Sequence, residues 1–168
     1  NDSYEVGKSF SNYLSDEDIE IEIAITPNRV DCAGVYGIAR DLSAAGLGKL
    51  KQLKVDDIKS SQESIIKIDN KLKDEDCPQF FLREVKNVSN IDSPDWMLKR
   101  FRMTDIKIIS CLVDITNYIN FDLCRPLHVF DADKIQGDIV IRHSKKGEKF
   151  LGLDDQEYIL DDNMIVIC

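Results

Sequence analysis

Between positions 114 and 128 the sequence gathers side chains suited to handling a water or an anion: Asp114, Thr116, Asn117 and Asn120 within seven residues, then Arg125-Pro126-Leu127-His128. Hydroxyl, amide and imidazole groups can position a water or donate hydrogen bonds to a developing negative charge. Thr, Asn and Asp each cost several tenths of a kcal/mol relative to Ala in a helix, so their density on an otherwise apolar segment needs a reason beyond propensity. The plain alternative is a solvated helix face. His128, between Leu127 and Val129, has its own plain alternative as a hydrogen-bonded packing residue. His143, beside Arg142 and Ser144 at a strand end, reads as a surface residue.

Other chemistry is sparsely supplied. The chain has no Gly-rich phosphate loop, no G-x-S-x-G, no H-E-x-x-H and only 2 histidines. Lys99, Arg100, Arg102 and Lys107, interleaved with Phe101, form the densest basic cluster, and Lys145, Lys146 and Lys149 a second. Solvated faces explain most such clusters, yet these are the plausible phosphate contacts on an acidic chain. Trp96 reads as core, and the acidic runs 16–18 and 74–76 read as solvated turns.

Several elements must position these groups. Strict alternation from Asp18 to Thr26, with Ile19, Ile21, Ile23 and Ile25 on one face, predicts a half-buried strand ended by Pro27. Asn28 is the expected cap of the next helix, with Asp31 in its first turn. Val35, Ile38, Ala39, Leu42 and Ala45 carry the helical period, and Gly46 and Gly48 stop it. Gly34 and Gly37 in that helix cost about 1 kcal/mol each relative to Ala, which implies a close neighbour against the backbone. The polar stretch 50–62 reads as a domain boundary. Beyond it, Ile65, Ile66 and Ile68, then Phe80 to Val85, read as strands. Ser93-Pro94-Asp95 predicts a helix start with Ser as cap. A second helix covers Leu112 to Phe121, with Leu112, Ile115 and Ile119 on one face and Asp114, Asn117 and Asn120 on another. Strands follow at 139–142, 150–153, 158–160 and 164–167, with turns at 146–148 and 154–155.

Composition bounds the class. The 168 residues are 43% hydrophobic and 32% charged, with no apolar run near the length of a bilayer span, so the chain reads as a soluble globular piece with no membrane partner. A net charge of −9 repels polyanions except at a local basic patch. Five scattered cysteines without C-x-x-C spacing encode neither a disulfide framework nor a zinc site, and read as reduced, mostly buried thiols of a cytoplasmic protein. The first residue is not Met and the last four read as a strand, which is expected of a fragment.

Two stretches resemble a known family. IEIAITPNRVDCAGVYGIARDLSAAG, from position 21, is similar to the segment closing the first domain of the bacterial phenylalanyl-tRNA synthetase beta subunit. SPDWMLKRF (93–101), VDITNYINFDL (113–123) and PLHVFDADKI (126–135) resemble the start of its B3/B4 domain. The resemblance implies residues 1–52 as the end of the first (B1) domain, 53–62 as a linker and 63–168 as the first part of B3/B4. It places the start just after the family's inserted tRNA-binding-like domain. The implied fold is α+β, a strand-and-helix remnant followed by a mostly β, barrel-like half with peripheral helices.

In that family the beta subunit pairs with an alpha subunit that holds the aminoacylation site, in a heterotetramer of two alpha and two beta subunits. ATP and Mg2+ are implied for that holoenzyme and no cofactor for these residues. The B3/B4 domain hydrolyses tyrosine mischarged onto tRNA(Phe). Carried over position by position, Thr116, Asn117 and His128 are the implied catalytic residues. A pocket built around the phenol hydroxyl can reject phenylalanine, because its polar groups then go unpaired, and the family's residues that read that hydroxyl fall beyond Cys168. Cys124-Arg125 stand where the family usually has Gly-Gln, and Val129 where Ala is common. The alternative is accordingly a tRNA-positioning or subunit-interface module that has lost editing. Asn28, Arg29 and Arg40 are assigned to structure.

Overall fold

The computed structural model describes residues 6–8 and 21–168. These form two compact units: the described residues of Asn1–Leu53 with Ser89–Val129, and Lys54–Val88 with Phe130–Cys168. The first unit is helical. A 3-10 turn at Val30–Cys32 leads into α1 (Val35–Ala44), followed by α2 (Asp95–Arg102) and α3 (Cys111–Leu123). The second carries β1 (Ile68–Asn70), β2 (Ile139–His143), β3 (Lys149–Leu151), β4 (Glu157–Ile159) and β5 (Ile165–Ile167). The class is α+β.

In the second unit β2 is the centre of a mixed sheet of order β1-β2-β5. β1 runs parallel to it, pairing Ile68 with Ile139, and β5 antiparallel, pairing Ile141 with Ile167. Strand alternation puts Ile139 and Ile141 on the covered face, where Ile141 is 2% exposed. A separate hairpin pairs β3 with β4 in the register Phe150 to Tyr158. Its end is fastened by the Tyr158 hydroxyl, which donates to Asp154 at 2.6 Å, holding that carboxyl below its ordinary range and the phenol above its own. The four C-terminal strands lie where the alternation placed them, each within about two residues.

The N-terminal half departs from expectation. Positions 18–20 of the strand expected at 18–26 lie outside the described residues, and 21–26 are exposed and outside any ladder. Alternation prepares a face, but a strand needs a partner for its backbone groups. Phe80 to Val85 shows the same separation. Phe80, Leu82 and Glu84 are half-buried and the residues between them exposed, as a strand would have them, yet no ladder forms. The segment is instead held through Glu84, which accepts from Ser64 Oγ at 3.0 Å and from the Ile65 amide at 3.1 Å. These bonds, the amide first, hold the Glu84 carboxyl below its ordinary range.

Helix starts also shift. Asn28 does not cap α1, because the 3-10 turn intervenes and Gly34 is the N-cap. The close neighbours implied by the glycines are present. A Cβ at Gly37 would overlap the Asp31 carbonyl oxygen, and one at Gly34 would stand 2.7 Å from the Cys124 amide nitrogen. Ser93 does not cap α2; Pro94 does, offering its carbonyl to the Met97 and Leu98 amides at 2.9 and 3.1 Å. Trp96 is not core but 51% exposed, the buried residues of α2 being Met97 and Phe101. All five cysteines are free, and only Cys32 is fully buried, so the expectation of mostly buried thiols is corrected. The scatter of Cys77, Cys111, Cys124 and Cys168 puts them at turns and element ends, where packing is partial.

Arg142 on β2 grips Glu148 with two hydrogen bonds of 2.9 and 2.7 Å, and the Lys145 amide adds a third at 2.8 Å. Together, Arg142 first, they lower the Glu148 pKa from 4.5 to about 2. A depressed carboxylate stabilises the fold above its unfolded pKa and stops doing so as pH falls through its folded one. The stability advantage of the wild type over Glu148→Gln in urea unfolding is therefore full at pH 6 and shrinks between pH 4.5 and 2. An advantage independent of pH would show that the ion pair is not its source.

Candidate functional site

α3 carries most of the polar group. Its first turn is laced to the segment before α2: the Cys111 amide donates to the Ile91 carbonyl at 3.1 Å and the Leu112 amide to Asn90 Oδ1 at 3.2 Å. These serve two of the donors a helix start leaves without partners. Asp114 completes the lacing. It is fully buried, accepting from Ser93 Oγ at 2.6 Å and from the Ile109 amide at 2.9 Å. Its place in the first turn also suits a negative charge. Asp114 and Thr116 are the buried residues of α3, and Ile115 is exposed. Two strong donors offset much of the cost of taking the Asp114 carboxylate out of water.

Thr116 donates its hydroxyl to the Val113 carbonyl at 2.6 Å. Its proton is engaged in the helix, so the oxygen faces its surroundings as an acceptor. Asn117, half-buried, lines an open concavity of ≈ 370 Å³ with Asn120, Lys107, Ile106, Ile109, Ala33 and Phe121. Two amide side chains and a lysine thus share the lining with apolar residues. Asn120 shares the sequence's polar group with Asn117, and Lys107, from the basic cluster, joins them here.

His128 is exposed in an irregular segment beyond the end of α3. It lines neither this concavity nor the more apolar one of ≈ 370 Å³ between α1 and residues 47–51. Thr116 and Asn117 are adjacent on one helix, and His128 stands apart from the concavity. The connection between them is Cys124, which ends α3 in the left-handed conformation at φ +53°. That region is open to Gly and costs other residues about 1–2 kcal/mol. Cys124 nevertheless adopts the turn a glycine would make, and its thiol donates to the Val30 carbonyl at 3.1 Å.

A second cluster sits at the start of α1. Arg29 bonds Asp31 at 3.0 and 3.1 Å and Asp41 at 2.7 Å, and Arg40 pairs with Asp31 as well. Arg29 holds both carboxyls below their usual range, and burial pushes the Cys32 thiol up. Asp31, Cys32 and Asp41 bring ligand atoms within 4.8 Å of one another, the arrangement among the described residues nearest to a metal site. It does not fit one. Two guanidiniums already neutralise the oxygens, and a thiol held protonated is a poor ligand.

The chain matches the B3/4 domain family over residues 76–168. It is 48% identical over 168 residues to the phenylalanine–tRNA ligase beta subunit of Brucella abortus (strain 2308), covering 97% of this chain and 20% of that protein. The beta subunit of Paramagnetospirillum magneticum is 48% identical over 166 residues, covering 97% and 21%, and that of Mesorhizobium japonicum 48% over 163 residues, covering 97% and 20%. The chain therefore spans about one fifth of the length of the curated relatives it matches. Among the described residues no helix is long and apolar enough to cross a membrane.

Two substitutions test this geometry by urea unfolding. Ser93→Ala removes a donor from a buried carboxylate and is expected to cost about 2 kcal/mol. Cys124→Gly relieves the left-handed turn and is expected to raise stability by about 0.5–1 kcal/mol, net of the extra entropy glycine brings to the unfolded chain. A neutral Ser93→Ala would remove Asp114 as the fastening of α3.

Proposed function

The chain belongs to the B3/4 domain family and is similar over 97% of its length to phenylalanine–tRNA ligase beta subunits, and on that premise we propose that it is part of such a subunit and contributes to hydrolytic editing. The similarity carries the reading. The longer protein charges tRNA(Phe) with phenylalanine, paired with an alpha subunit in a heterotetramer of two alpha and two beta subunits in the cytoplasm. ATP and Mg2+ belong to the alpha subunit's synthetic site in this reading. Residues 1–52 fall to the end of the first domain, 53–62 to a linker and 63–168 to B3/B4. The β1-β2-β5 sheet contributes to a barrel that closes with strands of the longer protein.

In this reading the substrate is tyrosyl-tRNA(Phe), and the step is attack of water on the ester carbonyl. The Thr116 oxygen, with its proton committed to Val113, accepts a hydrogen bond from the attacking water and orients it. The Asn117 amide, on the wall of the concavity, donates to the oxyanion that forms on the carbonyl oxygen. His128 reaches the ester from the segment that follows Cys124 and moves a proton between water and the leaving ribose oxygen. Cys124 supports retention of this arrangement, since it keeps the glycine-like turn that the Gly-to-Cys departure put in question.

The test uses the complete beta subunit with its alpha partner and follows release of tyrosine from tyrosyl-tRNA(Phe). His128→Ala is expected to slow release by about 10²-fold, the lower range for losing a general acid–base, with phenylalanine charging unchanged. Release by the wild type that His128→Ala, Thr116→Val and Asn117→Ala all leave intact would assign editing elsewhere. No release by the wild type would leave the tRNA-positioning or interface module.

A further inference from the structure

α2 ends in a run of cations, Lys99, Arg100 and Arg102, on a chain of net charge −9. Cations in a last turn complement the helix dipole, which accounts for the charge but not for the aromatic residues around it. Trp96 is half exposed, and its ring meets Tyr118 of α3 edge-on at 5.1 Å. Arg100 lies over both rings, 5.9 Å from the indole centroid and 5.7 Å from the phenol, and donates to the Tyr118 hydroxyl at 2.9 Å. A guanidinium on an exposed helix face ordinarily samples many rotamers; here one hydrogen bond and two ring faces hold it. Trp96 and Arg100 are one helical turn apart, so the indole and the cation present a continuous surface.

The geometry points to the Trp96–Arg100–Tyr118 face as a docking platform for an unpaired RNA nucleotide, whose base stacks on the indole while its phosphate meets Arg100. The inference deepens the tRNA-linked reading above and rests on it. Three observations select the occupant. An exposed indole offers a stacking face to any unstacked base. A pre-ordered guanidinium beside it offers a charge-assisted contact to the adjoining phosphate at little entropic cost. The net charge of −9 disfavours long tracks of duplex phosphates, so a short single-stranded element is the nucleic acid that a local basic patch can hold. The face contains neither Asn117 nor His128, so it binds without taking part in hydrolysis.

The experiment uses the complete enzyme with its alpha partner, a fluorescently labelled tRNA(Phe) transcript for equilibrium anisotropy, and tyrosyl-tRNA(Phe) for steady-state release of tyrosine. Trp96→Leu and Arg100→Gln are each expected to weaken transcript binding about ten-fold and to raise KM with kcat unchanged, while Trp96→Phe, which keeps a stacking face, stays within about three-fold of wild type. His128→Ala is expected to do the reverse, lowering kcat and leaving binding intact. If Trp96→Leu fails to fold, Arg100→Gln, at an exposed position, decides. Transcript binding unchanged in both variants overturns the platform and leaves editing standing. Weakened binding in an enzyme that releases no tyrosine upholds the platform and removes editing. Displacement of the transcript by polyglutamate as readily as by a single-stranded RNA dodecamer overturns RNA as the occupant and makes the face a site for an acidic protein.

Discussion

A carboxylate with no exposure to water must find its hydrogen bonds inside the protein, and Asp114 finds them in Ser93 and in the backbone ahead of its own helix. That requirement organises the helical unit. It ties the start of α2 to the start of α3, fixes the rotation of α3 about its axis, and thereby sets which side chains its flanks present. Thr116, two positions on, is buried with it; Asn117 and Asn120 come round onto a concave wall; Tyr118 comes round toward α2. Were the helix turned to bury Ile115 instead, none of these placements would follow. The other end of α3 is fixed by a different kind of constraint, the absence of side chains. Gly34 admits the backbone of Cys124, and the left-handed turn there directs the chain toward His128.

Electrostatics does separate work in the two units. In the helical unit Arg29 and Arg40 neutralise Asp31 and Asp41 around a buried thiol, which makes the start of α1 a closed structural knot rather than a place for a cation. In the sheet unit Arg142 and Glu148 brace the central strand against the turn that follows it. These groups are saturated by each other. In the proposed editing reading, the groups that would meet the ester are the Thr116 oxygen, the Asn117 amide and the His128 imidazole.

The β half was legible because its strands are short, alternating and separated by turn residues such as Gly147 and Asp155, both at positive φ. α3 was legible from its period, but not its orientation: by residue type Asp114 belongs outside and Ile115 inside, and only the partners of Asp114, Ser93 at 21 residues' distance among them, reverse the assignment. Such a pairing leaves no local signal. The segments 21–26 and 80–85 have the alternation of strands without a ladder, since period describes a face and says nothing of the neighbour that must pair with it. Ser93, by type a helix cap, serves instead as a donor to Asp114, through a pairing of the same long-range kind. Of the site, residue identities came from a family resemblance carried by motifs; the concavity that unites Asn117, Asn120 and Lys107 came from packing, which the motifs do not encode.

The central claim, that this region serves selective hydrolysis of a mischarged tRNA, meets its most direct test in the wild-type enzyme. Tyrosine release from tyrosyl-tRNA(Phe) and phenylalanine release from phenylalanyl-tRNA(Phe) are measured side by side with the assembled alpha and beta subunits. The account predicts tyrosine release faster by at least about 10²-fold, as expected of a site built to pair the phenol hydroxyl. Equal rates, or no enzyme-dependent release of either amino acid, would contradict it.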